Sequence, residues 1–124
     1  MKTKNIALIV DDHAMTRKEF GELVGYYGFD VLFAANGQEA VDMCLSDQKV
    51  DVVFMDGNMP IMNGDTATRL IKKYCPKLII VSITGNDIEK TYQEIGYDAY
   101  LRKPILSPAL THLFSLIASL LSRV

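Results

Sequence analysis

The chain has 124 residues, with 13 basic and 15 acidic side chains and a net charge of −2. That is the length of one domain, able to bury roughly 65–70% of its unfolded surface. A hydrophobic share of 49% excludes disorder, and the lack of a basic excess excludes broad binding to nucleic acid or anionic membranes.

Met1–Lys4 precedes a five-residue apolar run, Ile6–Val10, too short for a signal peptide and of strand length. Next, Phe20, Leu23, Val24 and Tyr27 share one helical face, and Gly28 stops that helix. Phe29–Ala34 is a second strand candidate, interrupted by Asp30. Asn36 and Glu39 have capping-box spacing ahead of a helix carrying Ala40, Val41, Cys44 and Leu45. Val52–Met55 reads as the third strand. A third helix carries Ala67, Leu70, Ile71 and Tyr74, with Pro76 beyond its end. Leu78–Val81 reads as the fourth strand. A weak fourth helix is expected over Asp87–Ile95, anchored only by Ile88, Tyr92 and Ile95. Ala99–Leu101 is the fifth strand, and the fifth helix begins near Pro108. Asn36-Gly37, Asn63-Gly64 and Gly85-Asn86 punctuate the loops.

Strand and helix alternate five times, and the strands are continuously apolar. That pattern predicts a doubly wound α/β domain with a parallel sheet covered on both faces. In such a sheet, right-handed crossovers bring all strand carboxyl ends to one edge, where ligands bind. The strand ends carry Asp11-Asp12, Asp56, Thr84 and Lys103, whereas the second strand ends blandly at Ala34-Ala35. Crowded carboxylates repel one another, and a small divalent cation relieves that repulsion. An all-oxygen donor set favours Mg²⁺, with Mn²⁺ as a substitute. A lysine and a threonine hydroxyl beside it suit phosphoryl oxygens, so the chemistry suggested is phosphoryl transfer to a carboxylate. Asp56 is the best-placed nucleophile, because a loop follows it, and the adjacent Asp11 and Asp12 suit a cation.

These residues resemble a known family. Asp11-Asp12, the run Met55-Asp56-Gly57-Asn58-Met59-Pro60-Ile61-Met62-Asn63-Gly64, Thr84-Gly85, and Tyr100-Leu101-Arg102-Lys103-Pro104-Ile105 are similar to the receiver domain of two-component response regulators. Their wording is most like receivers of hybrid sensor kinases. The resemblance covers 1–124 as one receiver domain. It implies a five-stranded parallel sheet in the order 2-1-3-4-5 flanked by five helices. It also implies that Asp56 accepts a phosphoryl group from a sensor histidine kinase or a histidine phosphotransfer protein. Asp11, Asp12, Asp56 and the backbone carbonyl of Asn58 would hold Mg²⁺, Asp11 partly through water. Thr84, Gly85 and Lys103 would bind the phosphoryl group. Thr84 and Tyr100 would then switch the surface of the fourth helix, fifth strand and fifth helix toward a downstream protein target or a relay. The bond from Lys103 to Pro104 is often cis in this family. Gly57 departs from the usual aliphatic residue, loosening the loop or admitting a partner closely. Asn58 and Asn86 occupy positions that tune acyl-phosphate hydrolysis in the family.

The remaining candidates carry plainer readings. His13 and His112 read as rim and solvated histidines, Cys44 and Cys75 as core or near-core residues, and Met59 and Met62 as loop packing. The apolar arc of the last helix spans about 160°, more than one buried face needs, so its edge is expected to serve a partner or a homodimer. Two cysteines are too few for a disulfide framework, which points to a reduced cytoplasmic setting. Leu113–Leu121 is too short to insert in a membrane. As alternatives, a Mg²⁺-dependent phosphohydrolase with an Asp nucleophile needs a second acid where Asn58 stands. A flavin mononucleotide binder needs a phosphate loop in place of Asp11-Asp12-His13. A docking module without phosphorylation would not need the five-residue set. The reading is thus a signalling domain rather than a turnover enzyme. At this length the chain is expected to hold one receiver and no separate output domain.

Overall fold

The computed structural model describes residues 4–122. Five strands and five helices alternate as expected: β1 Ile6–Val10, α1 Ala14–Tyr26, β2 Asp30–Ala34, α2 Gly37–Cys44, β3 Val52–Asp56, α3 Gly64–Tyr74, β4 Ile79–Thr84, α4 Tyr92–Ile95, β5 Ala99–Arg102 and α5 Ser107–Leu121. The sheet is parallel throughout, in the order β2-β1-β3-β4-β5.

Period-two alternation along each strand divides the core between two faces. Ala7, Ile9, Phe54, Val81 and Leu101 pack with Phe20 and Val24 of α1 and with Leu113, Phe114 and Ile117 of α5. Leu8, Val10, Met55 and Ile80 pack on the other face with Val41 of α2 and Ile71 of α3. β3 is buried at all five positions, and β4 at all six, because both faces are covered.

Asn36 caps its helix as its spacing to Glu39 predicts, and Asn63, read as loop punctuation, is a cap as well. Asn36 and Asn63 each accept, through the side chain, a 2.9 Å bond from the amide three residues on. Glu39 reaches back to the Ala35 amide at 3.3 Å and completes the box one residue early. The fourth helix is corrected from Asp87–Ile95 to Tyr92–Ile95. Asp87 bonds the Glu89 amide at 3.2 Å and turns the chain locally, while Ile88 alone anchors the first turn. One anchor does not offset the cost of nucleating a helix there. Gly96, at φ 121°, ends the short helix in a conformation suited to glycine.

Candidate functional site

β1 and β3 are neighbours with Val10 paired to Met55, so the residues that follow them meet at the carboxyl edge. Carboxylate oxygens of Asp11, Asp12 and Asp56 lie within 4.8 Å of one another. Asp11 and Asp56 are each only 7% exposed. Asp12 faces solvent. The loop that carries the first two acids is held on three sides. The Asp11 amide donates to the Ala34 carbonyl at 3.2 Å. Its Oδ1 accepts from the His13 amide at 2.9 Å. Its carbonyl accepts from the Arg17 guanidinium at 2.7 Å.

The other side of the site comes from β4 and the end of β5. Thr84 and Arg102 pair in register, and the Lys103 amide donates to the Thr84 carbonyl at 2.8 Å. This turns the Lys103 ammonium toward Asp56, with Nζ 3.3 Å from Oδ1. The Lys103–Pro104 peptide is cis. Thr84 is buried, and its Oγ1 accepts from the Asn86 amide at 3.0 Å. Beneath the acids lies a cavity of about 30 Å³ whose walls include Ile9, Phe54 and Ile83. Burial over this apolar floor pushes the Asp56 carboxyl above the usual carboxylate range. Lys103 opposes that rise by attraction, while Asp11 and Asp12 add repulsion.

The loop after β3 passes close to Asp56 twice. Asn58 is exposed, at its open side. At Ile61, φ is 70°, and the Met62 amide donates back to the Pro60 carbonyl at 2.7 Å. A β-branched residue in that region is strained by roughly 1–3 kcal/mol. Gly64 closes the loop, its amide donating to the Gly57 carbonyl at 3.2 Å. A Cβ built on Gly57 would stand 3.7 Å from the Thr84 hydroxyl, an ordinary contact. The site therefore has space for a small side chain there, in contact with Thr84.

Of the residues read from the sequence, Asp11, Asp12, Asp56 and Lys103 meet directly, and Thr84 stands beside them. Gly85 follows on the exposed turn. Tyr100 points elsewhere, its ring 4.9 Å from that of Tyr92, along a cavity of about 560 Å³ shared with Leu106 and Leu116. Leu116 on α5 and Leu106, which precedes that helix as its N-cap, are exposed. Arg17 was not singled out from the sequence. Its signal there is a place one turn into the helix that opens beside the acids. Chemically, the three carboxylates form an all-oxygen donor set that fits a small hard cation, with an ammonium on the opposite side of Asp56.

A model of the response regulator receiver domain matches residues 7–115. The sensor histidine kinase RcsC of Salmonella typhi is 32% identical over 114 residues, covering 90% of this chain and 12% of that protein. The autoinducer 1 sensor kinase/phosphatase LuxN of Vibrio campbellii is 36% identical over 107 residues, covering 85% of this chain and 12% of that protein. The chain thus spans 12% of the length of both relatives. Among solved structures, the receiver domain of the sensor histidine kinase PA1611 from Pseudomonas aeruginosa PAO1 has a magnesium ion coordinated in its active site cleft. It superposes with a TM-score of 0.81 at 23% identity, covering 97% of this chain and 99% of that one, a likeness of fold.

Proposed function

This chain belongs to the response regulator receiver domain family, and from that premise we propose that Asp56 accepts a phosphoryl group in a Mg²⁺-dependent reaction. The observation that carries this is the meeting of three carboxylates within 4.8 Å, with Lys103 3.3 Å from the innermost. Mg²⁺, or Mn²⁺ in its place, would be held by Asp11, Asp12, Asp56 and the Asn58 carbonyl, and would neutralise the acids and the incoming phosphoryl oxygens. The PA1611 receiver, with its magnesium ion, supports that assignment by analogy of fold.

The chain's own part is positioning and charge. An Asp56 oxygen attacks phosphorus, a P–O bond forms, and the P–N bond to the donor imidazole breaks. That leaving imidazole takes a proton. Lys103 gives up its contact with Asp56 Oδ1 and pairs with a phosphoryl oxygen. Thr84 releases the Asn86 amide and donates its hydroxyl to another. Gly85 lets the backbone of that turn approach. Tyr100 then leaves Tyr92 for the space Thr84 vacates, which alters the surface of α4, β5 and α5. Asn58 stands where a hydrolase would need a general acid, which favours a phosphoryl group held for signalling over a turnover enzyme.

The donor we propose is the phosphohistidine of a sensor histidine kinase or a histidine phosphotransfer protein, since RcsC and LuxN are both sensor kinases by name. The output is a protein target, a homodimer or onward relay. A cytoplasmic setting suits such donors, and no helix among the described residues is long and apolar enough to cross a membrane. To test the proposal, the protein is incubated with acetyl phosphate and Mg²⁺ and its intact mass measured. A gain of one phosphoryl group is expected, lost in Asp56→Asn and lost with EDTA. No gain from any small donor would overturn the acceptor role and favour a docking module.

A further inference from the structure

We propose that Cys44 and Cys75 form a thiol pair that closes reversibly into a disulfide between the ends of α2 and α3 when it meets an oxidised low-molecular-weight disulfide such as glutathione disulfide. This rests on geometry remote from Asp56 and does not depend on the phosphoryl reading.

The two cysteines are 31 residues apart in sequence, yet the Cys75 thiol donates to the Cys44 carbonyl oxygen with sulfur 3.8 Å away. Both thiols are free and half-buried, and both pack against the α2–α3 side of the core. Cys44 is the last residue of α2, and Cys75 is the C-cap of α3 with φ −129° and ψ 68°. Both cysteines therefore stand at helix ends, where rotation about the Cys75 side chain can release its sulfur from the carbonyl. A disulfide needs α-carbons about 4.4–6.8 Å apart, and the Cys75 sulfur on the Cys44 carbonyl shows the two residues in contact across the ends of the helices.

The surroundings favour an anionic oxidant. Both cysteines open on a surface cavity of about 380 Å³ whose wall also carries Lys49 and Lys77. Asp51 offsets part of that charge, lying 3.9 Å from Lys49. Its other oxygen is held by the Ile6 amide at 2.7 Å. Two roles follow from burial. The Cys44 thiol is pushed up to about 12, first by burial and then by the neighbouring Cys75, so it stays protonated and slow at neutral pH. Cys75 is thus the entry point. Its thiolate attacks one sulfur of glutathione disulfide, and the S–S bond breaks to expel one glutathione thiolate. Cys44, held beside the mixed disulfide, gives up its proton as it attacks the Cys75 sulfur, the second glutathione is expelled, and the proton passes to a glutathione thiolate. The two protein thiols are oxidised, glutathione disulfide is reduced to two glutathiones, and both thiol protons end on them.

The experiment exposes the intact wild-type chain to glutathione disulfide, quenches with acid, alkylates under denaturing conditions and reads intact mass. The expected product has lost two hydrogen atoms, takes no alkylating agent and reverts with dithiothreitol. A peptide map should show residues 44 and 75 cross-linked. In Cys44→Ser, a glutathione adduct should persist on Cys75. In Cys75→Ser, modification of Cys44 should be at least about tenfold slower than that of Cys75 in the reciprocal variant. Glutathione adducts on the wild type without loss of hydrogen, or a disulfide-linked dimer, would overturn the proposal. The wild-type mass and map decide this alone should either variant fail to fold.

Discussion

Asp56 is placed where folding opposes its charge. Burial, and the repulsion of Asp11 and Asp12, outweigh the attraction of Lys103, so its carboxyl titrates above the usual range. A group whose folded pKa is raised favours the folded state most when protonated, and that favour is lost as pH rises through the folded value. Without a cation, Asp56→Asn should therefore raise Tm at neutral pH. The gain should shrink as pH falls through the folded value toward the ordinary carboxylate range. Thermal melts of both proteins in EDTA across that range check the sign, and a variant less stable at neutral pH would contradict it. The same carboxyl, costly when unpaired, is the one that a cation and a phosphoryl group would relieve.

At the scale of an element, the loop from β3 to α3 transmits position to that carboxyl. Gly64 packs directly on the Asp56 backbone: an added Cβ would overlap its carbonyl oxygen and lie 2.9 Å from the Met55 side chain. Neither atom can yield, because β3 is buried on both faces. Gly64→Ala should destabilise the fold by about 1–3 kcal/mol through overpacking. It should also slow phosphorylation by acetyl phosphate in the fraction that remains folded. Urea titration gives the first quantity and the time course of mass gain the second. An alanine variant with unchanged midpoint would remove the close approach. α4 is a contrasting case, since its apolar anchors were recognised but its length was set by the turn at Asp87 and by the Arg102 guanidinium 3.0 Å from it.

Across the whole molecule, the two edges of the parallel sheet treat acids in opposite ways. At the amino edge, strand amides lack sheet partners and donate to carboxylates. Asp51, one residue ahead of β3, takes the Ile6 amide at 2.7 Å. Asp98, one residue ahead of β5, takes the Ile80 amide at 2.9 Å and Lys72 at 2.8 Å. The carboxyl edge presents carbonyls instead, so Asp11, Asp12 and Asp56 crowd with few donors. Divalent cation should stabilise this molecule accordingly. At about 100 times its Kd, Mg²⁺ should add about 2.7 kcal/mol, roughly 10 °C in Tm. The shift should reverse with EDTA and shrink in Asp56→Asn, and an equal shift from sodium at matched ionic strength would rule out a specific site. The order of strands and helices, the acidic strand ends and the family resemblance were all legible in the 124 residues, because burial on both faces writes continuous apolar runs and the residues after them are forced to one edge. Arg17 on the Asp11 carbonyl, the Cys75 sulfur on the Cys44 carbonyl and the short α4 were not legible. Each depends on a distance or a competing bond between residues that the chain separates, and only tertiary packing fixes those.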